Sequence, residues 1–224
     1  MFERYAIFYT PTGELADFGA AWLGWDGALG CVMPHLDIKD IDVATLTRTP
    51  RKYGLHGTLK APFRLDQDID QSQLESAAAA FAMCHKGFVI GELELRHENG
   101  FVALRPVGQT SKLQDLAAEA VKEFDLYRAP LSDADIARRR QSRLSARQDQ
   151  QLLDWGYPFV FDDFHFHLTL TGRVSADQAS KVISALKPRL DPVVPVPFDI
   201  DAITLMGQDE SGMFHQIHRY TLTG

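Results

Sequence analysis

Basic residues are in the minority, with 23 Lys and Arg against 30 Asp and Glu, a net charge of −7 over 224 residues. Such a balance excludes the broad positive footprint that long nucleic acids require, while leaving room for a local basic pocket. Cysteine is scarce. Cys31 and Cys84 have no metal-type spacing, and Cys84, in "AAAAFAMC", is expected as a small buried hydrophobe. No apolar run approaches the roughly 20 residues needed to span a bilayer. "MFERYAIFYT" places Glu3 and Arg4 ahead of a short apolar stretch, which is no signal peptide. No Gly/Ser-rich or charged linker interrupts the chain. These absences predict a cytoplasmic protein without membrane or long nucleic-acid partners. At 45% hydrophobic residues it can bury a sizeable core as one compact bilobal domain.

What is present is a repeated pattern. "RYAIFYT" reads as a strand and "TGELADFGAAWLGW" as a helix with Leu15, Phe18 and Trp22 on one side. "LHGTLKAPF" is strand-like, and period-two alternation points His56, Thr58 and Lys60 one way and Leu55, Gly57 and Leu59 the other. A helix follows, with Ser72 and Glu75 as its expected capping box, then two strand-like runs around Asn99-Gly100. The last third repeats the order. "FHFHLTLTGRV" alternates His165, His167, Thr169 and Thr171 against Phe166, Leu168 and Leu170. A helix begins at Ser175 with Gln178 as its capping partner and is expected to stop at Pro188. Two strand-like runs around Ser211-Gly212 complete the copy. The landmarks recur at nearly constant spacing: 111 from His56 to His167, 110 from Phe88 to Phe198, and 112 from Gly100 to Gly212. The pattern predicts a duplicated α+β unit with antiparallel sheets lining a central cleft and helices packed outside. Lobe one lies mainly in 1–110, a helical connection in 111–156, and lobe two mainly in 157–224. The connection holds a helix with Leu113, Leu116, Ala120 and Phe124 on its stripe, and another starting at Ser132 with Asp133 and Asp135 in its first turn.

Two H-x-T strands brought side by side would aim His56, Thr58, His167 and Thr169 into one cleft. Facing imidazoles suit transfer at phosphorus. One neutral histidine takes a proton from the attacking hydroxyl, and its protonated partner gives one to the departing alkoxide. Threonine hydroxyls can donate to the non-bridging oxygens. Neither a metal nor another cofactor is called for.

"HGTL" at 56–59 and "HLTL" at 167–170 resemble the paired H-x-T-x motifs of the 2H phosphoesterase superfamily, which includes RNA 2′-5′ ligase-like proteins and cyclic phosphodiesterases. The flanks "PRKYGLHGTLKAPF", "YRAPLSDADIARRR" and "LLDWGYPFVFDDFHFHLTLTG" further resemble its branch associated with phosphonate-utilisation operons. That likeness runs from "RYAIFYTP" to the second motif. The resemblance implies a duplicated α+β fold around a cleft, catalysis by His56 and His167, and phosphate contacts from Thr58 and Thr169. It also implies hydrolysis of a small cyclic phosphodiester, with a ribose cyclic phosphate suggested by the operon association.

Other residues leave alternatives open. Arg138, Arg139, Arg140, Arg143 and Arg147 fall in one predicted helix. A solvated face is the default reading; the functional one carries an arginine such as Arg143 into the cleft to hold a second phosphate. Lys60, on the predicted face of His56, is a second candidate phosphate contact. Tyr5 and Tyr9 suit core or cleft wall. Asp163, His165 and His167 could instead form a metal site, giving a metal-dependent phosphohydrolase that leaves the first motif unexplained. The remaining readings are an RNA-end or nucleotide 2′,3′-cyclic phosphodiesterase and a non-catalytic nucleotide-binding module.

Overall fold

Alternation in the strand-like runs requires each strand to bury one face and turn the other elsewhere. A computed structural model, describing residues 2–108 and 110–224, shows how the chain meets that demand. One seven-stranded antiparallel sheet carries both copies of the repeat. Its members are β1 (Arg4–Tyr9), β4 (Gly57–Phe63), β6 (Leu93–Glu98), β7 (Phe101–Pro106), β8 (Leu168–Thr169), β10 (Ala202–Gln208) and β11 (Phe214–Thr221). They lie in the order β11-β10-β1-β4-β8-β7-β6. Two small ribbons stand apart: β2 (Trp25–Asp26) with β3 (Cys31–Val32), and β5 (Phe88–Val89) with β9 (Asp199–Ile200).

The two H-x-T strands meet at the centre of the sheet, where Gly57 of β4 pairs with Leu168 of β8. Each hairpin joins the strand of the other copy. β6–β7, from the first copy, extends the sheet beyond β8, and β10–β11, from the second, extends it beyond β1 and β4. The division at 110 and 157 therefore follows the repeat in sequence, while the two halves of the sheet exchange hairpins. The first hairpin turns through Asn99 and Gly100, both at positive φ (55° and 83°), the type I′ geometry that Asn-Gly favours.

The main core lies between one face of the sheet and the longer helices α3 (Gln71–Cys84), α4 (Ser111–Asp125) and α7 (Ala176–Leu190). Tyr5, Ile7, Tyr9, Leu59, Leu104 and Leu168 belong to it, which places both tyrosines in the core. The opposite face holds a small separate cluster of Ala6, Phe8, Met206 and Phe214. α1 (Gly13–Leu23) and α2 (Val43–Thr47) precede β4; α5 (Asp133–Arg140) and α6 (Ala146–Trp155) connect the copies.

Local signals are met unevenly. Ser175–Gln178 forms the expected capping box, and Ser132 caps α5. α3 begins two residues before the expected box, capped by Asp70 and Gln73, which satisfy each other's backbone N–H groups reciprocally. Pro188 sits inside α7, which runs on to Leu190. Cys84 ends α3 exposed to solvent, and so is not the buried hydrophobe expected; Cys31 is exposed too. The predicted long arginine helix is two helices, α5 and α6, joined by a turn in which Arg143 has φ of 52°.

Candidate active site

The register of the central strands sets the site. Because Gly57 faces Leu168, continuing the antiparallel pairing one step each way puts His56 across from Thr169 and Thr58 across from His167. The histidines are then diagonal neighbours, with Cβ atoms roughly 7–8 Å apart, a gap that a phosphoryl group can fill. All four residues line one cavity of about 320 Å³. The position between His56 and Thr58 must be small: a Cβ on Gly57 would overlap the Phe166 ring.

Both imidazoles are held in the same way. His56 Nδ1 lies 2.9 Å from the Gly54 carbonyl oxygen, and His167 Nδ1 lies 2.7 Å from that of His165. A carbonyl can only accept, so each Nδ1 carries the proton, and each neutral ring presents an unprotonated Nε2. The surroundings then differ. Phe8 stacks on His56 with ring centroids 4.0 Å apart, and Tyr53 stands 5.5 Å away. Burial among these rings pushes His56 down to about 4; the Gly54 bond opposes this and His167 adds to it. His167 packs beside Phe101, at 5.4 Å, and is also lowered by burial. Its bond to the His165 carbonyl opposes that effect and the nearby Arg105 guanidinium reinforces it. Arg105 comes from β7, where Ala103 pairs with Thr169 and Leu104 with Leu168; one further step places Arg105 across from His167.

Lys60 does not line the cavity of the histidines; it borders a narrower one beside it. β1 pairs Phe8 with Thr58, yet pairs Ile7 with Lys60 instead of Leu59. That extra residue is a β-bulge, and it moves Lys60 onto the face of Ile7, toward the helices. There its ammonium donates to Asp125 Oδ1 at 2.6 Å and to the Val121 carbonyl at 3.0 Å. Burial outweighs these contacts and lowers the ammonium to about 8. Ala61 takes the cleft position instead. Arg143 also misses the cleft, lying exposed in the turn after α5. Arg138 pairs with Asp135, Arg140 with Asp149, and Arg147 with Asp163. Of the five arginines, Arg139 lines the cavity, and Arg173 joins it from the loop after the second motif. Arg173 lies two residues past Thr171 in "FHLTLTGR", so the alternation that singles out His167 and Thr169 also reaches it.

Only Leu168–Thr169 of the second motif is regular strand, so the predicted common face of His165 and His167 fails. His165 is exposed and borders a different cavity with Arg96 and Arg105. Asp163 is held by Arg147 and Gln148. Among the described residues, no three His, Cys, Asp or Glu side chains gather as metal ligands would.

A family described as "Protein of unknown function (DUF1045)" matches residues 58–215. The chain belongs to that family. It is 35% identical over 218 residues to a protein of Janthinobacterium sp. (strain Marseille) named ribose 1,5-bisphosphate phosphokinase PhnN, covering 93% of this chain and 48% of that protein. A protein of the same name from Laribacter hongkongensis (strain HLHK9) is 27% identical over 218 residues, covering 96% of this chain and 51% of that protein. The chain thus spans about half the length of these curated relatives. The sequence contains no Gly-Lys pair, and so no G-x-x-x-x-G-K-[ST] phosphate loop. Among solved structures, E. coli LigT complexed with phosphate aligns over 100% of this chain and 99% of its own, at 12% identity and a TM-score of 0.43. The 2H resemblance rests on the paired motifs and the cleft they line. Among the described residues, no helix is long and apolar enough to cross a membrane.

Proposed function

We propose that the protein is a metal-independent 2H phosphoesterase that hydrolyses a small cyclic phosphodiester. One observation carries the reading: two histidines, each with Nδ1 tied to the carbonyl two residues back, share a cavity with two threonines. His56, the more strongly depressed, is the general base; a single proton on the pair resides on His167, the general acid. His56 Nε2 takes a proton from water as the water oxygen bonds to phosphorus. The P–O bond to the ring oxygen breaks, and His167 Nε2–H gives that oxygen its proton. The product is an acyclic phosphate monoester bearing a new hydroxyl, and the proton taken up by His56 returns the pair to its starting charge once solvent redistributes it. Thr58 and Thr169 donate to the non-bridging oxygens as charge builds.

A phosphorylated ribose is the substrate class this reading favours. In its curated relatives, about half of the polypeptide corresponds to this chain, and the whole is named for a ribose bisphosphate. An enzyme joined to such a partner meets the same kind of molecule. Tyr53, Phe101 and Tyr157 line the cavity and could stack a base, which favours a nucleoside 2′,3′-cyclic phosphate as the second reading.

The test is a panel of ribose 1,2-cyclic and nucleoside 2′,3′-cyclic phosphates, assayed before and after thorough chelation. Turnover of a member that survives chelation and is lost in both His56→Ala and His167→Ala supports the proposal. Turnover abolished by chelation and restored by a divalent ion would overturn the metal-independent chemistry.

A further inference from the structure

The cleft does not end at the two histidines. Ala61, Pro62, Tyr157 and Arg139 line both the main cavity and a narrower one of about 30 Å³. That volume holds roughly two waters, or the oxygens of one phosphoryl group. Around it stand five guanidiniums, from Arg4 on β1, Arg64 just past β4, Arg128, and Arg138 and Arg139 on α5, together with the Lys60 ammonium; Lys60 and Arg128 are already paired with Asp125. Asp135 is the one carboxylate lining the same space. It is already committed, accepting from Arg64 at 2.9 Å, Arg138 at 2.6 Å and Ser132 at 2.8 Å. Arg4 donates to a neutral acceptor, Gln208 Oε1, at 2.6 Å. Arg139 has no ion pair among the described residues and lies 5.0 Å above the Tyr157 ring.

Apart from the pair held by Asp125, four guanidiniums share one carboxylate, Arg4 and Arg139 half-buried and Arg64 and Arg138 exposed, and they repel one another in a protein whose net charge is −7. Arg4 registers the repulsion: burial lowers it first, Tyr53 opposes that, and Arg138, Arg64 and Arg139 lower it further. A dianion with several acceptor oxygens relieves such a cluster, and guanidinium forks match phosphate geometry. The location is also specific. Three residues of β4 separate Thr58 from Ala61, about 10 Å at 3.3 Å per residue, a span that one pentose bridges.

We propose that this slot is a subsite for a phosphate monoester, so that the substrate carries a cyclic diester at the histidines and a terminal phosphate at the arginines. The proposal deepens the phosphodiesterase reading and rests on it for the diester end. A base-free pentose phosphate and a nucleotide present the same terminal group, and the arms below separate them.

The test begins with binding, which needs no chemistry. Ribose 5-phosphate and a nucleoside 5′-monophosphate are titrated calorimetrically into the full chain, into the His56→Ala/His167→Ala variant, and into Arg4→Met and Arg139→Met separately. Ribose 5-phosphate is expected to bind wild type and the histidine variant alike, and about 10- to 100-fold more weakly to each arginine variant, the loss of one charge-assisted contact. Because each arginine variant removes a mutually repelling charge, its melting temperature without ligand should be unchanged or higher; a structural arginine would lower it. A tighter nucleotide identifies a base-bearing substrate, and an equal or weaker one a base-free sugar; both retain the subsite. Absence of binding, equal binding to the arginine variants, or loss only in the histidine variant overturns it. If no cyclic phosphate is turned over while arginine-dependent binding persists, the subsite stands and the phosphodiesterase reading falls. If cyclic phosphates are turned over with no preference for a terminal phosphate, the reverse holds.

Discussion

The pH dependence of turnover follows from the walls around the two histidines. With His56 pushed down to about 4, only about one molecule in a thousand carries a proton there at pH 7. His167 is also lowered, below its usual 6.5. Catalysis needs one proton on the pair, and that state is most populated between its two apparent pKa values. The optimum of kcat/KM is therefore expected between about pH 4 and 6.5. Above the upper value the rate should fall tenfold per unit, roughly a hundredfold from pH 6.5 to 8.5. The assay is initial rate at constant ionic strength, using a cyclic phosphate without a terminal monoester, whose own second ionisation near pH 6 would distort the profile. A paired perturbation sharpens it. Arg105 opposes protonation of His167 and Glu98 favours it, so Arg105→Gln should move the alkaline limb up and Glu98→Gln should move it down. An optimum above pH 7 in wild type, or a limb that ignores both substitutions, refutes the two-histidine assignment. Folding stability carries the same signature. Between about pH 6.5 and 4 the unfolded chain takes up a proton that the folded His56 refuses, so stability present above this window is lost as pH falls through it.

The other expectations concern single side chains. His56→Ala and His167→Ala should each lower kcat by about 10²–10⁴-fold with unchanged circular dichroism, and the double variant should be little worse than the poorer single one; independent, multiplying losses would contradict joint action. Thr58→Val and Thr169→Val should each cost about 10- to 100-fold in kcat, the worth of one hydrogen bond to a charged group, and wild-type kinetics in both would move phosphate binding elsewhere. Lys60→Met should leave kcat/KM unchanged for a cyclic phosphate without a terminal monoester while removing about 1–3 kcal/mol of stability in urea, since a buried hydrogen-bonded ammonium is lost; impaired turnover of that substrate in a stable protein would bring Lys60 to the histidines. Gly57→Ala should destabilise by about 1–3 kcal/mol through overlap with Phe166, and should cost less in a Phe166→Leu background; additive effects in the double-mutant cycle would show that the clash is absent.

The features legible in the sequence are those that depend on local alternation and turn chemistry. His56 with Thr58, and His167 with Thr169, read as common faces because a strand conserves its period over two or three residues. Asn99-Gly100 announced its hairpin by positive φ. Lys60 did not read correctly, because period two holds only while the register does. The bulge between Thr58 and Lys60 is created by pairing with β1, some fifty positions earlier in the chain, and no residue of "HGTLK" signals it. Arg143 was misplaced for a related reason: the arginines follow one another without Gly or Pro, while the break after Arg140 arises where Ser145 caps a new helix. Arg4, at the other end of the sequence, joins Arg139 only through the order of strands.

The same topology explains how two equivalent histidines come to have different surroundings. The copies meet as antiparallel counterparts, β4 against β8 and β5 against β9, the arrangement expected when a duplicated unit folds about an internal two-fold. That relation accounts for what the histidines share, the carbonyl two residues back and the threonine across the strand pair. It cannot make one an acid and the other a base. The difference enters with β1, which has no partner in the second copy and gives the sheet four strands on the β4 side against three on the β8 side. β1 lies beside β4 and brings Phe8 onto His56. At the equivalent flank of β8 stands β7, which brings Arg105, with Glu98 beside it at 2.8 Å. Burial under an apolar ring disfavours a proton on His56, whereas an ion pair near His167 pulls in both directions. The odd strand is therefore what separates the two titrations, and replacing Phe8 by a smaller apolar residue should narrow the pH window between the limbs of kcat/KM from its acid side. A window of unchanged width in a folded Phe8→Leu protein would show that the asymmetry has another source.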